Sequence, residues 1–465
     1  MAFLHSSVFS CFAFVVLAST LIHTPQVHGR EIESRHVVSV HSLLPSSSAC
    51  SLPKDLNTSR LKVVHPHGPC SPIGTGREPS HAKLLNRDQA RVDSLHHRIS
   101  TASSRESTRS SLAATIPANT GGSLGTGNYI VTVGFGTPKS DLTVVFDTGS
   151  DLTWIQCKPC SSGSCYPQQQ PLFDPSQSST YSNISCSSPE CSLLDSSTCS
   201  ASSPCRYDIE YGDNSQSSGY FSHDTLTLTS SELVPSFMFG CGDENSGLFG
   251  TAAGLLGLGR GKVSLVSQAR KYGGVFSYCL PSSSSSAGYL TFGGGAPSNV
   301  KFTPMLTFSD MPSFYFLSLV AIRVGGEQLP ISPTVFSTPG TLLDSGTVIT
   351  RLPPSAYVAL RSRFRQQMRK YKTAPALSIL DTCYDFTGYE TVSVPTVELV
   401  FGGGTSINLD FAGILYVAKV SQACLAFAGN GDVSDVTIIG NVQQRRVNVV
   451  YDIPKKQIGF GAKSC

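Results

Sequence analysis

The sequence predicts an all-β body built from two similar lobes with few short helices, and three observations carry that reading. Short β-branched and aromatic runs recur between Gly, Pro and Asp residues, one chemical pattern occurs twice, and 465 residues are too many for one ordinary core. The runs are Tyr129 to Phe135, Leu142 to Phe146, Thr225 to Thr229, Phe314 to Val324 and Val447 to Tyr451. Their length and spacing are those of strands. Helices are expected at Ser264 to Lys271 and at Ser355 to Met368, the second opened by Pro353 and Pro354.

The doubled pattern is an apolar strand running into an Asp-hydroxyl-Gly turn. It reads Val144-Val145-Phe146-Asp147-Thr148-Gly149-Ser150 in the first half and Thr341-Leu342-Leu343-Asp344-Ser345-Gly346-Thr347 in the second. Each copy is followed by two apolar residues and a glycine, Leu255-Leu256-Gly257 and then Ile438-Ile439-Gly440. Two copies in the same order imply a duplicated lobe, and a period of about 200 residues excludes a short-repeat solenoid.

Ahead of the body the composition changes twice. Residues 1–29 hold an apolar stretch from Val8 to Ala18, shorter than the roughly 20 residues that span a membrane, and Val27 and Gly29 suit signal cleavage before Arg30. This is read as a signal peptide for secretion to the extracellular space rather than as an anchor. Residues 30–111 are polar, Ser-rich and basic, with a helical patch from Ala82 to Ile99 carrying Leu84, Leu85, Val92 and Leu95. They are read as a propeptide that partners the body by charge, the alternative being a disordered linker. A first lobe over 112–300, with a Cys-rich insert at 157–205, and a second over 301–465 complete the expected organisation.

The formal charge of +3 invites a nucleic-acid partner until it is located. Of the 34 Lys and Arg, 12 fall between Arg30 and Ser111, against 7 of the 31 Asp and Glu, so the rest of the chain is slightly acidic. No basic stripe suited to phosphates runs along the body. Fifteen cysteines point to an oxidising compartment. Cys11 leaves with the signal peptide, Cys50 and Cys70 lie in the propeptide, and twelve remain from Cys157 to Cys465, enough for six bridges. Cys157-Lys158-Pro159-Cys160 has no second Cys-x-x-Cys or His pair at metal spacing, which favours a structural bridge over a zinc or redox site. The glycines from Gly257 to Gly261 resemble a phosphate loop, but Leu256 and Lys262 stand where its diagnostic glycines belong.

A lone Asp-Thr-Gly is a weak signal, since Asp before Gly often marks a turn. Two of them ending matched strands are a strong one. Brought together across a pseudo-twofold axis, Asp147 and Asp344 would share one proton, because like charges so close resist ionising together. One carboxyl then serves as acid while the other activates water; aspartic proteases are a standard illustration of this logic. Thr148, Ser345 and the glycines Gly149 and Gly346 suit turns in which backbone closely approaches the carboxylates.

On these residues, from about Tyr129 to Gly461, the sequence resembles the pepsin-like aspartic peptidases. It is most similar to the plant nepenthesin-like branch, which also holds proteins described as chloroplast nucleoid DNA-binding proteases. The resemblance implies a pepsin-like bilobal fold and an endopeptidase acting on proteins or extended peptides at acidic pH, as a monomer, with no cofactor and no metal. It implies catalysis by Asp147 and Asp344, support from Ser150 and Thr347, and a flap at Ile209-Glu210-Tyr211-Gly212 with Gly219. There Tyr211 and Gly212 would close over substrate and Trp154 would hydrogen-bond Tyr211. His67-Gly68-Pro69-Cys70-Ser71-Pro72 resembles the propeptide of related plant enzymes.

By the same resemblance the expected bridges are Cys157 with Cys160, Cys165 with Cys241, Cys186 with Cys205, Cys191 with Cys199, Cys279 with Cys465, and Cys383 with Cys424. Asn183-Ile184-Ser185 is the glycosylation sequon of the mature part. Two rival readings share the scaffold. One is a binding protein, as in plant relatives that inhibit xylanases after losing catalytic residues, against which both Asp turns are intact. The other is a plastid nucleoid protease, against which stand the signal-like front end and the acidic body.

Overall fold

The computed structural model describes residues 34–43, 49–51, 60–73, 80–105, 128–160, 163–199, 203–211, 215–247, 249–294, 297–337, 340–462 and 465. The signal peptide and the flap residue Gly212 lie outside them. Within them the chain is mostly strand, with the α-helices His81–Arg105, Leu265–Gln268, Pro354–Met368 and Phe411–Ile414. The β-branched runs form strands because alternate side chains bury on a pleated face. Ile130–Phe135, for example, buries Ile130, Val131, Val133 and Phe135. Ser264 caps the short helix Leu265–Gln268 by accepting from the Ser267 amide, and Pro354 opens Pro354–Met368.

The doubled sequence pattern is doubled in space. Ser140–Asp147 lies parallel to Gly254–Gly257, with Gly257 opposite Asp147. Thr341–Leu343 lies parallel to Thr437–Ile439, with Leu343 opposite Ile439. In each half a third short strand completes the unit in antiparallel register, placing Trp154 opposite Leu255 and Arg351 opposite Ile438. The glycine after each apolar pair is tied the same way. The Gly257 amide donates to Thr153 Oγ1 and the Gly440 amide to Thr350 Oγ1, both at 3.1 Å.

The halves do not divide at one point in the chain. Val447–Asp452 and Gln457–Ala462 join Val275–Cys279 and Lys301–Pro304 in one 15-stranded sheet that also contains the strands of the first half. The front segment is likewise built into the body. Arg35–Ser39 pairs antiparallel with Thr391–Pro395. Leu61–Val64 lies between Ala287–Phe292 and Ile130–Phe135, with Leu61, Val63 and Val64 buried. Leu84, Leu85, Val92 and Leu95 are all buried on one side of His81–Arg105.

Four of the six expected bridges are paired differently. Cys157 bonds Cys241, Cys160 bonds Cys165, Cys186 bonds Cys199 and Cys191 bonds Cys205. The reason in the first case is the sheet. The Cys157 amide donates to Gly242 O at 2.8 Å, which holds Cys157, just past Trp154–Gln156, beside the parallel strand that carries Cys241, with the two Cα atoms 5.4 Å apart. Cys160 and Cys165 then close a short loop. In the second case burial sorts the sulfurs: buried Cys191 meets buried Cys205, while half-buried Cys186 meets exposed Cys199. Cys279–Cys465 and Cys383–Cys424 form as expected, and Cys50 bonds Cys70 in the front segment.

Mass mapping of non-reduced digests should therefore recover Cys157 linked to Cys241 and Cys191 linked to Cys205. Recovery of a Cys157–Cys160 link instead would contradict this arrangement of the insert.

Candidate active site

Each half delivers its aspartate at the end of a buried strand. Asp147 and Asp344 are 1% and 0% exposed. The two turns grip one another through reciprocal hydrogen bonds: the Thr148 amide donates to Ser345 Oγ at 3.1 Å, and the Ser345 amide to Thr148 Oγ1 at 2.9 Å. A buried backbone amide must find an acceptor, and here each finds it in the opposite lobe. Within each turn the glycine amide points at its own carboxylate, from Gly149 to Asp147 Oδ1 and from Gly346 to Asp344 Oδ1, both at 3.0 Å. A Cβ on Gly149 would sit 2.8 Å from Asp344 Oδ1, which is why the turn has no side chain there.

The symmetry is broken by one hydroxyl. Thr347 Oγ1 donates to Asp344 Oδ2 at 2.6 Å. Among the described residues, neither Asp147 Oδ2 nor its counterpart Ser150 Oγ has a hydrogen-bond partner of normal geometry. Burial raises the Asp147 carboxyl above the ordinary range; Arg91 opposes this and Asp344 adds to it. Asp344 is raised by burial as well, but Arg91, the Thr347 hydroxyl and the Gly346 amide outweigh that and hold it below the ordinary range.

Arg91 is the residue the sequence reading did not single out. One guanidinium nitrogen, Nη2, reaches Asp147 Oδ1 at 2.8 Å and Asp344 Oδ2 at 3.0 Å, while Nε reaches Asp344 Oδ2 at 3.2 Å. Its charge is held on by the two carboxylates against the cost of burial. The helix His81–Arg105 that carries it crosses the cleft. Leu85 packs with Val348 and Ile349, while Val92, Leu95 and Ile99 pack with Phe314, Phe316 and Ile438. His96 Nε2 lies 2.9 Å from Val436 O, and Arg98 stacks over Phe314.

One turn before Arg91, Asp88 is 4% exposed and accepts from the Val348 and Ile349 amides at 2.5 and 3.0 Å. It also pairs with the buried Arg351 at 3.1 Å. A cavity of about 740 Å³ remains beside the helix, lined among others by Arg91, Asp147, Tyr211, Phe249 and Val348. Trp154 Nε1 donates to Tyr211 OH at 2.7 Å, and both rings meet Phe249 edge to face. Asn183 is exposed on its short strand, with its carbonyl accepting from Tyr181 OH. Signals for the missed residues were present in the sequence. An arginine three residues after Val348 and next to Leu352 demands a partner, and Asp88 and Arg91 stand three residues apart in a helical pattern among Leu84, Leu85, Val92 and Leu95.

Two lobes, each giving one aspartate from a matched turn to a shared cleft, define the architecture of a bilobal aspartic protease. Comparison with known proteins agrees. Residues 129–294 and 314–462 match domain families described as xylanase inhibitor N-terminal and C-terminal. "Aspartyl protease family protein At5g10770" of Arabidopsis thaliana is 52% identical over 448 residues, 94% of each chain. "Aspartic proteinase nepenthesin-2" of Nepenthes gracilis is 37% identical over 352 residues, 73% of this chain and 78% of the relative. Among solved structures, conglutin gamma from lupine seeds aligns with a TM-score of 0.58 at 21% identity, over 72% of this chain and 91% of that one, a likeness of fold. The chain belongs to the plant aspartyl protease family, the pepsin-like group that includes the nepenthesins.

Each of the two carboxyl shifts carries a pH dependence of its own sign. The depressed Asp344 carboxyl contributes stability that is fully present above the usual aspartate pKa of about 3.9 and is lost as pH falls through its lower, folded value. Asp147, raised, works the other way. Replacing Arg91 leaves two buried carboxylates facing each other, a loss of about 3 kcal/mol in docking. Hydrogen exchange in His81–Arg105 should therefore rise about a hundredfold at neutral pH in Arg91→Met. Unchanged protection in that variant would remove Arg91 from the account.

Proposed function

We propose that this chain is the precursor of an active aspartic endopeptidase, catalysed by Asp147 and Asp344 and latent while Arg91 lies between them. The observation that supports this best is the reciprocal Thr148–Ser345 hydrogen bonding, which holds two buried carboxylates from matched turns within reach of one cation. Once that cation leaves, the pair must shed charge, and it does so by keeping one proton.

The chemistry then follows from that single proton. The ionised carboxylate takes a proton from water as its oxygen attacks the peptide carbonyl, and the protonated partner donates to the carbonyl oxygen. The tetrahedral intermediate collapses with cleavage of the C–N bond as the leaving nitrogen takes up a proton. Tyr211, held through Trp154, would cover the substrate as a flap. Residues 30–111 act as the propeptide, ahead of two lobes that share the chain unevenly, since 447–462 returns to the sheet of the first half.

A secretory route is supported by seven disulfides among the described residues, since a reducing cytosol would not keep them. An apoplastic destination and a glycan on Asn183 belong to the same reading. The domain families' description names xylanase inhibitors, a binding role on this scaffold. Here both aspartates and both gripping hydroxyls are in place.

Asp147→Asn and Asp344→Asn should each lower peptide hydrolysis by about a hundred- to ten-thousandfold with the fold intact. A peptide mimic carrying a hydroxyl at the scissile position should inhibit the wild type. Substantial hydrolysis by either purified variant would overturn the dyad mechanism.

A further inference from the structure

Arg351 occupies a telling position. It follows Asp344 by seven residues, as Trp154 follows Asp147, and the two sit opposite Ile438 and Leu255 in matching registers. In the first half this position holds the indole that meets Tyr211 at the cleft. In the second it holds a guanidinium that is 0% exposed.

That guanidinium is turned toward the cleft helix. Nη2 pairs with Asp88 Oδ2 at 3.1 Å and Nε donates to Gln89 Oε1 at 3.3 Å, while Nη1 donates to Ile349 O on its own strand at 2.7 Å. The same Asp88 carboxylate accepts from the Val348 and Ile349 amides. Two backbone donors and a cation thus converge on one carboxylate supplied by the front segment. If that segment departs, the three donors remain in the body, four to seven residues beyond Asp344, and a buried arginine without an anion is costly.

We propose that Val348, Ile349 and Arg351 form a carboxylate receptor in the substrate cleft, which Asp88 fills in the latent chain and an acidic side chain of the peptide substrate fills in the active one. This rests on the endopeptidase reading and adds a substrate class to it: peptides with Asp or Glu close to the scissile bond. Arg91 lies on the dyad one helical turn, about 4.5 Å of axis, from Asp88. An extended peptide advances about 3.3 Å per residue, so the acidic residue stands within about three residues of the bond cut.

The test uses the full chain, held at about pH 3 to undock the cleft helix, which immobilised pepsin cuts away there, and returned to about pH 5, above the ordinary aspartate pKa of about 3.9. Peptides differing only by Asp or Asn at each of three positions on either side of the scissile bond are compared by kcat/KM and, separately, by binding in fluorescence anisotropy. One position should favour Asp about tenfold in both measurements, the scale of a charge-assisted hydrogen bond in a wet cleft. Arg351→Gln should bring that ratio to one.

A wild-type ratio of one at every position, or a ratio that survives Arg351→Gln, overturns the receptor. If neither peptide is cut but Asp binds about tenfold tighter, the receptor stands and the endopeptidase reading falls. Equal binding, or none, overturns the receptor whatever the cleavage. Should Arg351→Gln fail to fold, the wild-type ratio is followed to about pH 3. There protonation of the peptide's Asp must abolish the preference, and a preference that persists overturns the receptor.

Discussion

Two like carboxylates buried side by side are the constraint around which the rest of this molecule is arranged. Left alone, Asp147 and Asp344 would repel and would lack the water that ordinarily stabilises them. The structure answers with glycine amides aimed at each carboxylate, gripping hydroxyls that tie the turns together, and a guanidinium that touches both. Each device needs backbone within hydrogen-bond reach of a carboxylate. That explains the absence of side chains at Gly149 and Gly346, where a Cβ would meet the opposite aspartate.

Duplication supplies the frame, and departures from duplication supply the function. Matched registers bring Trp154 and Arg351 to equivalent places, yet one is an indole bound to Tyr211 and the other a cation bound to Asp88. Thr347 donates to Asp344 at 2.6 Å, while the Ser150 hydroxyl is the least of the influences on Asp147. From equal backbones, unequal neighbours push the two carboxyls in opposite directions. That is the division of labour a shared-proton mechanism needs.

The front segment is held at three places, by strand pairing at two of them and by a helix at the third. A strand pairs with Thr391–Pro395, a second strand enters the large sheet, and an amphipathic helix crosses the cleft. The strands depend on backbone hydrogen bonds and buried aliphatic groups, which do not titrate. The helix depends in addition on Arg91 and Asp88, whose partners are carboxylates, a guanidinium and amides. Protonation of Asp344, which Arg91 helps to hold ionised, therefore weakens the cleft contact rather than the strand contacts.

Local sequence was enough to determine the all-β texture, the two lobes and the pair of aspartates. Strand periodicity and Asp-hydroxyl-Gly turns are short-range signals, and their repetition is visible without coordinates. Cys279–Cys465 and Cys383–Cys424 followed from resemblance and hold, whereas the insert's pairing was settled by which strands lie adjacent and which sulfurs are buried. Only tertiary structure could decide that Arg91 reaches both aspartates from more than fifty residues away, or that Asp88 finds Arg351. The helical pattern of 82–99 reports an apolar face but not what that face packs against. Ion pairs between residues hundreds of positions apart leave no spacing to read, because the chain's folding, and not its order, brings the charges together.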